Sequence, residues 1–500
     1  MNRRHRLTAI LSWLALVLWP VTPQAWCASE ELRGWWVDAF HPGFKNPAEV
    51  RQLVADARRG HFNALFVQVR KRGDAYYHST LEPAANDIAP GYDPLADLLL
   101  QAHSGEPRLE IHAWVVVYPV WNDLQQPPSA ANHVARAHPD WLTQSFAGET
   151  WDGPTQALDP GHPAVQQHLF DVVMDLVTHY DLDGVQLDYV RYGGIQWGYN
   201  LAAVRRFNER FGHEGRPAPA EPQWLQFRRD QVTALVRKVY LHAIERKPRL
   251  TVSAATICFA PGITNLTDWP ASSAYADKLQ DWRAWMEEGI LDLNVAMAYF
   301  AQPINAGAWN RWSRTVKLLR GSRHAALGVG TYLNSLADSI AQLRTSRAAG
   351  PGGVQADGVV CYSYAGVGTG RATRNAFIAA LTQRRPAHHG LPPVFATAAR
   401  PPGMPWKTSP HRGHLKGFVR AADDGIGLDG ASLELEGAEN RNIATDATGF
   451  FGAVDLPPGE YRVKVSAPGR EPSLAMCIVR AGQVSTQDIV LGSVVEPPGR

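Results

Sequence analysis

From residue 32 to about residue 381 the chain keeps changing its period. Short apolar runs rich in β-branched residues alternate with longer stretches in which apolar residues recur every three or four positions. The short runs fall at 35–37, 64–69, 111–117, 184–187, 250–254, 293–298, 326–330 and 358–361, and helical periodicity occupies 47–59, 94–104, 163–179, 225–246, 282–288, 309–319 and 336–348. Strands covered on both faces read as unbroken apolar runs, and parallel neighbours need a crossover between them, so this alternation predicts an α/β protein. Eight such strands with helical stretches between them predict a (β/α)8 TIM barrel, with an open doubly wound sheet as the competing arrangement.

The remaining chain changes character. Residues 383–413 hold Pro386, Pro392, Pro393, Pro401, Pro402, Pro405 and Pro410 with little periodicity, which reads as a linker. Beyond it, alternating segments such as 431–435 and 461–465, with turn chemistry at Asp423-Asp424-Gly425 and Pro457-Pro458-Gly459, predict a small all-β sandwich over 414–493. A large domain over 32–382 followed by this small one suits 500 residues better than one core would. At the other end, Arg3, Arg4 and Arg6 precede an apolar stretch from Leu7 to Trp19, and Ala25-Trp26-Cys27 supplies a small-residue site. That is a signal-peptide pattern over 1–27, which places the mature protein in the periplasm or outside the cell. No later apolar run reaches the ~18 residues of a membrane span. Past the leader only Cys258, Cys361 and Cys477 remain, an odd number without C-x-x-C or Cys/His spacing, so neither a disulfide framework, a structural zinc nor any other cofactor is expected.

In a barrel of this kind the groups that follow each strand share one mouth. Asp38 follows the first run, Arg70 and Asp74 the second, Asp188, Tyr189, Arg191 and Tyr192 the fourth, Tyr299 the sixth and Tyr364 the last, while Trp36 and Trp114 lie within the first and third. Carboxylates, arginines and flat rings around one rim are what glycosidic cleavage requires: one carboxyl protonates the leaving oxygen, another attacks, stabilises or activates water, and rings hold the sugar. Asp188 is read as the ionised partner, kept so by Arg191 and Arg70, and Asp74 as the second catalytic carboxyl, with Asp38 as its rival. Trp36, Asp38, Arg70, Trp114, Tyr189, Arg191, Tyr192, Tyr299 and Tyr364 are the candidate substrate contacts. Asp188 could instead serve as a structural bridge to Arg191, and Asp183 reads as a turn residue at the opposite end of the barrel. A net charge of +2 gives no case for nucleic acid. Two functions stay open: a glycan hydrolase, and a glycan-binding protein that keeps the aromatic groove without a working second acid.

Four blocks in order carry a family likeness: 33–37 (Arg-Gly-Trp-Trp-Val), Gln68-Val69-Arg70 with 73–77 (Gly-Asp-Ala-Tyr-Tyr), 158–163 (Leu-Asp-Pro-Gly-His-Pro) and 183–192 (Asp-Gly-Val-Gln-Leu-Asp-Tyr-Val-Arg-Tyr). Over 32–381 the chain resembles the glycosyl-hydrolase-like family 10, secreted bacterial barrels related to glycoside hydrolases. The resemblance implies hydrolysis of O-glycosidic bonds in a polysaccharide, bacterial cell-wall glycan (peptidoglycan) in particular, with Asp188 and Asp74 on the family's acidic positions. This sequence departs from the pattern at 294–299, where only Tyr299 of an Asn-Pro-Gln-x-Tyr-like segment is kept, and at Asp38, where many relatives carry a small or hydroxyl residue. The tail resembles a carboxypeptidase-regulatory-like, transthyretin-like sandwich through 445–451 and 456–461. Attachment to the cell envelope, or spacing, is the role that likeness implies.

Overall fold

The computed structural model of the protein describes residues 30–384 and 391–494. The expected signal peptide lies outside the described residues, as do positions 385–390 of the expected linker. Eight parallel strands close into a barrel: β1 (Leu32–Val37), β2 (Ala64–Arg70), β3 (Glu110–Val116), β4 (Gly184–Asp188), β5 (Thr251–Ile257), β6 (Leu293–Ala298), β7 (His324–Gly330) and β8 (Gly358–Tyr362). β8 pairs back onto β1 in register, Leu32 with Gly358 through Trp36 with Tyr362, so no edge is left open. The helices that intervene include α1 (Pro47–Arg59), α2 (Pro94–His103), α3 (Pro163–His179), α4 (Leu201–Phe211), α5 (Pro222–Arg246), α6 (Trp282–Glu288), α7 (Gln302–Leu318), α8 (Leu336–Arg347) and α9 (Arg374–Thr382). Their starts obey local chemistry: Asn46 accepts from the Ala48 and Glu49 amides at the head of α1, and Asp93 accepts from Ala96 at the head of α2.

Two apolar layers result from strand alternation. Inward-pointing Trp36, Phe66, Trp114, Ala255, Val295, Ala326 and Val360 fill the barrel, while residues of opposite parity join the helices in the main core. β4 shows the rule in five residues. Val185 and Leu187 belong to the outer core, whereas Gly184, Gln186 and Asp188 have the inward parity. Gln186 accepts from the Trp36 indole at 2.5 Å. Gly184 has no room for a side chain, because a Cβ there would lie 2.2 Å from the His112 ring. The only inward place left for the Asp188 carboxyl is therefore the uppermost layer.

The opposite end is held by a repeated device. The residue just before β2, β4, β6 and β8, namely Asn63, Asp183, Asp292 and Asp357, accepts a backbone N–H from the strand before it, at Arg33, Ile111, Val252 and Ala325. Asp183 thus stands where the sequence places it, at the foot of the barrel.

The stretch read as a linker is not a loose tether where it is described. Phe395 packs into the barrel core, Thr397 accepts from Arg33 through its carbonyl, and Trp406 and Lys407 both reach Asp292, at 2.8 and 2.5 Å. Its prolines end helices without preventing burial, and buried partners then hold it as a strap beneath the barrel. Beyond it, β9 (Gly413–Ala421) to β16 (Ile489–Leu491) form two four-stranded sheets around a core that includes Leu415, Leu433, Phe451, Tyr461 and Val463. One sheet carries β9, β12 (Phe450–Leu456), β15 (Val484–Thr486) and β16; the other carries β10 (Ser432–Glu436), β11 (Arg441–Ala444), β13 (Gly459–Ser466) and β14 (Ser473–Val479). The sandwich docks against α5: a Cβ on Gly452 would meet Leu241 at 2.3 Å, and Arg206–Asp429 and Arg323–Asp455 bridge the two domains. Among the described residues no helix is long and apolar enough to cross a membrane.

Candidate active site

A cavity of about 660 Å³ occupies the mouth at the strands' carboxyl ends. Its lining includes Trp36 from β1, Trp114 from β3, Asp188 and Tyr189 at the end of β4, Phe259 after β5, Tyr299 after β6, Tyr332 after β7 and Tyr362 from β8. Tyr299 and Tyr362 stack with centroids 5.2 Å apart, and Trp36 stands edge-on to both at 6.0 Å. Flat apolar faces beside a few polar groups are suited to a sugar ring, whose carbon faces pack and whose hydroxyls bond.

Asp188 is the acid of this cavity. One carboxylate oxygen accepts from the Trp114 indole at 3.0 Å, and the other accepts from the Tyr189 amide at 2.7 Å and lies 3.6 Å from Arg191. Burial raises its pKa above the usual carboxylate range; Arg191, the Tyr189 amide and Trp114 pull the other way without cancelling it. This differs from the expectation of an acid held ionised by two arginines. Arg70 is not there to help: it is fully buried in a two-pronged pair with Glu82, at 2.7 and 2.6 Å, and donates to the carbonyls of Val116 and Val117. Burial works to raise the Glu82 pKa, but Arg70 and His168 outweigh it and hold it down to about 2. The pair seals the β2 sector, and β2 contributes no lining residue to the cavity.

That sealing also decides where Asp74 lies. Its carboxylate accepts from the amides of Lys71 and Arg72, at 3.3 and 2.8 Å, closing the turn after β2, and it does not line the cavity. Asp38 is differently placed. One of its oxygens accepts from the Phe40 and His41 amides and meets the His41 ring at 2.7 Å, while the other is buried without a partner. Burial raises the Tyr362 pKa, and the carboxylates of Asp38 and Asp188 raise it further, so both acids act on one phenol.

Of the other expected contacts, Trp36, Trp114, Tyr189, Arg191 and Tyr299 line the cavity. Tyr189 adopts a left-handed backbone, φ 51°, and is 45% exposed as a residue, with the Arg191 guanidinium 4.1 Å from its ring centre. Tyr192 lines a neighbouring cavity instead. Tyr364 faces outward, its hydroxyl donating to Asp56 at 2.9 Å and its ring against Trp35, which makes it a packing residue between barrel and helices. Phe40, Phe259 and Asn305 also line the site and were absent from the expectation, which asked for polar groups immediately after each strand: two of them are apolar, and Asn305 lies inside α7.

A closed parallel barrel whose mouth joins a buried carboxyl to a wall of aromatic rings, with a small sandwich attached, is a glycosidase-like architecture. Residues 31–331 match the glycosyl hydrolase-like 10 family model, and the chain belongs to that family. Residues 414–492 match the carboxypeptidase regulatory-like domain. Glycosyl hydrolase YngK of Bacillus subtilis is 27% identical over 288 residues, 54% of this chain and 53% of that protein. Glycosyl hydrolase DigH of Escherichia coli K12 is 27% identical over 297 residues, 54% of this chain and 62% of its own length. The chain thus spans about half to three-fifths of the curated relatives it matches. Among solved structures, the PgaB (BpsB) glycoside hydrolase domain of Bordetella bronchiseptica shares the fold, with a TM-score of 0.50, 13% identity, and coverage of 72% of this chain and 97% of that domain.

Proposed function

We propose that the protein is a glycoside hydrolase of the cell envelope that cleaves O-glycosidic bonds in a polysaccharide, bacterial cell-wall glycan in particular, with Asp188 as the proton donor. The carrying observation is Asp188 itself: a carboxyl buried among sugar-sized aromatic faces, with a pKa raised by that burial. A raised pKa suits a general acid, which must hold its proton until the leaving oxygen needs it. Asp38 is the second carboxyl in this reading; its unpartnered oxygen and its charge acting on Tyr362 support that choice, although it does not itself line the cavity. Asp74, tied to its own turn, shapes the loop. Arg191 and Tyr189 orient the sugar, and Trp114 holds the Asp188 carboxyl in place. The leader pattern at 1–27 supports secretion or a periplasmic site, and the sandwich would attach or space the barrel at the envelope.

One observation favours a second reading, glycan binding without turnover: among the described residues Asp188 is the only carboxylate lining the cavity. A single experiment separates the two. Purified sacculi and chitin-like oligomers are incubated with the protein and with Asp188→Asn, and new reducing ends are counted. Loss of about 10²- to 10⁴-fold in Asp188→Asn, with the fold intact, is the expected result. Retention of glycan by both proteins with no reducing ends from either leaves the binding reading.

A further inference from the structure

The sandwich carries an apolar stripe on its outside. β14 ends its sheet beyond β13, and strand alternation sends Cys477 and Val479 into the sandwich core while Leu474, Met476 and Ile478 point out, 59%, 53% and 47% exposed. Single exposed apolar residues are ordinary, whereas three in a row along one strand, with no charge or proline in residues 473–479, form a continuous patch. The other sheet already has its partner, because Gly452 of β12 packs against Leu241 of α5. The edge of β14 is itself partly closed: the Ile478 carbonyl accepts from the Ser485 hydroxyl at 2.7 Å, and Glu471, just before the strand, donates its amide to the Gly492 carbonyl. What lies open is a face rather than a place for one more strand.

The charges beside the stripe narrow what fits it. In the register of β13 with β14, Lys464 stands beside Leu474, Arg462 beside Met476 and Glu460 beside Ile478, and all three charged side chains are exposed. A base at one end and an acid at the other is a pattern that its own image answers. Half a turn about an axis crossing the strands at the level of Met476 and Arg462 sets Leu474 on Ile478 of a second copy, and Lys464 on its Glu460. Arg462 then meets its own image at the axis, with Glu436 opposite it in β10 to balance the pair. We propose that this face docks a second copy of the chain, in a two-fold pairing of Leu474, Met476 and Ile478 with their images. The apolar stripe supplies the attraction, while exposed ion pairs add little affinity and fix the register. An anionic lipid surface fits less well, because Glu434, Glu436 and Glu460 outnumber Arg462 and Lys464 on this face.

The test follows the full chain by sedimentation velocity over a range of concentrations, with thermal melts to confirm that each variant folds. A dimer that forms as concentration rises is expected. Met476→Lys, which gathers like charges at the axis, should leave monomer with the melt unchanged, since that side chain is exposed. Lys464→Glu and Glu460→Lys should each weaken the dimer about ten-fold, and the two together should restore it. A monomer at every concentration overturns the proposal, as does a dimer that Met476→Lys leaves intact. A dimer that Met476→Lys disperses but that ignores both charge exchanges overturns the two-fold pairing. A monomer that co-sediments with phosphatidylglycerol vesicles, and no longer does so in Leu474→Glu, gives the face to a lipid surface instead.

Discussion

The carboxyl of Asp188 is buried because of its parity. It is the third inward residue of β4, above Gly184 and Gln186, and a strand that begins one residue earlier or later would turn it outward into the helical layer. Burial then raises its pKa, and the sign of the consequence follows. The folded protein binds the proton more tightly than the unfolded chain, so its contribution to stability is present below the unfolded pKa and is lost as pH rises through the raised value. Asp188→Asn is therefore expected to melt no lower than the parent at neutral pH while losing activity, a cost of function that thermal melts beside turnover assays would reveal. Asp38 and Asp74 separate by the same pair of measurements. Asp38→Asn should abolish most turnover with little loss of stability. Asp74→Ala removes the acceptor for two turn amides and should cost about 1 kcal/mol in denaturant unfolding, with kcat unchanged. A large kcat loss in Asp74→Ala and none in Asp38→Asn would reverse the assignment of the second carboxyl.

At the scale of elements, the strands and most helices were legible because their signal is local. A period of two or of 3.6 residues is written in neighbouring side chains, and Pro, Asn and Asp mark the helix starts. Helices α4 and α9 escaped notice, lying outside the expected helical stretches; α4 sits inside the long connection from β4 to β5 and packs in a satellite cluster with Trp224 and Phe227 rather than on the barrel. The strap escaped for another reason. Proline density signals the end of regular structure, and whether an irregular segment is then free or buried depends on partners distant in sequence, here Asp292. Asp292 is fully buried, accepts from the Val252 amide and the Trp406 indole, and pairs with Lys407, itself nearly buried. Asp292→Ala would leave that lysine uncompensated in the interior. The expected cost is about 3–5 kcal/mol, read by chemical denaturation, and a cost under about 1 kcal/mol would mean that the strap is not held there.

Over the whole molecule, the barrel and sandwich meet through groups that tolerate burial only when neutral or paired. His414 lies against Tyr240 at this junction and accepts from the Asp455 amide at 3.2 Å. Burial pushes its pKa down to about 4, with Asp455 opposing and Arg323 and Lys407 nearby. The unfolded chain therefore takes up a proton near pH 6.5 that the folded protein refuses until about pH 4. Stability from this group is present above pH 6.5 and is lost as pH falls between those values, on the order of 3 kcal/mol. Melting at pH 7 and pH 4.5 should show that loss, and His414→Gln should flatten it; an unchanged slope would place the acid sensitivity elsewhere.

Taken alone, the sequence determined what neighbouring residues can settle: the alternating elements, the barrel, the sandwich, and Asp188 at the end of a buried strand. The tertiary structure decided which charges share a space. Arg70 was drawn to Glu82 rather than to Asp188, Asp74 closed its own turn, Tyr364 turned outward to Asp56, and Asp38 came to share Tyr362 with Asp188. Periodicity propagates along a chain over a few residues, whereas the free energy of a buried charge depends on whichever partner arrives through space, and no local pattern encodes that arrival.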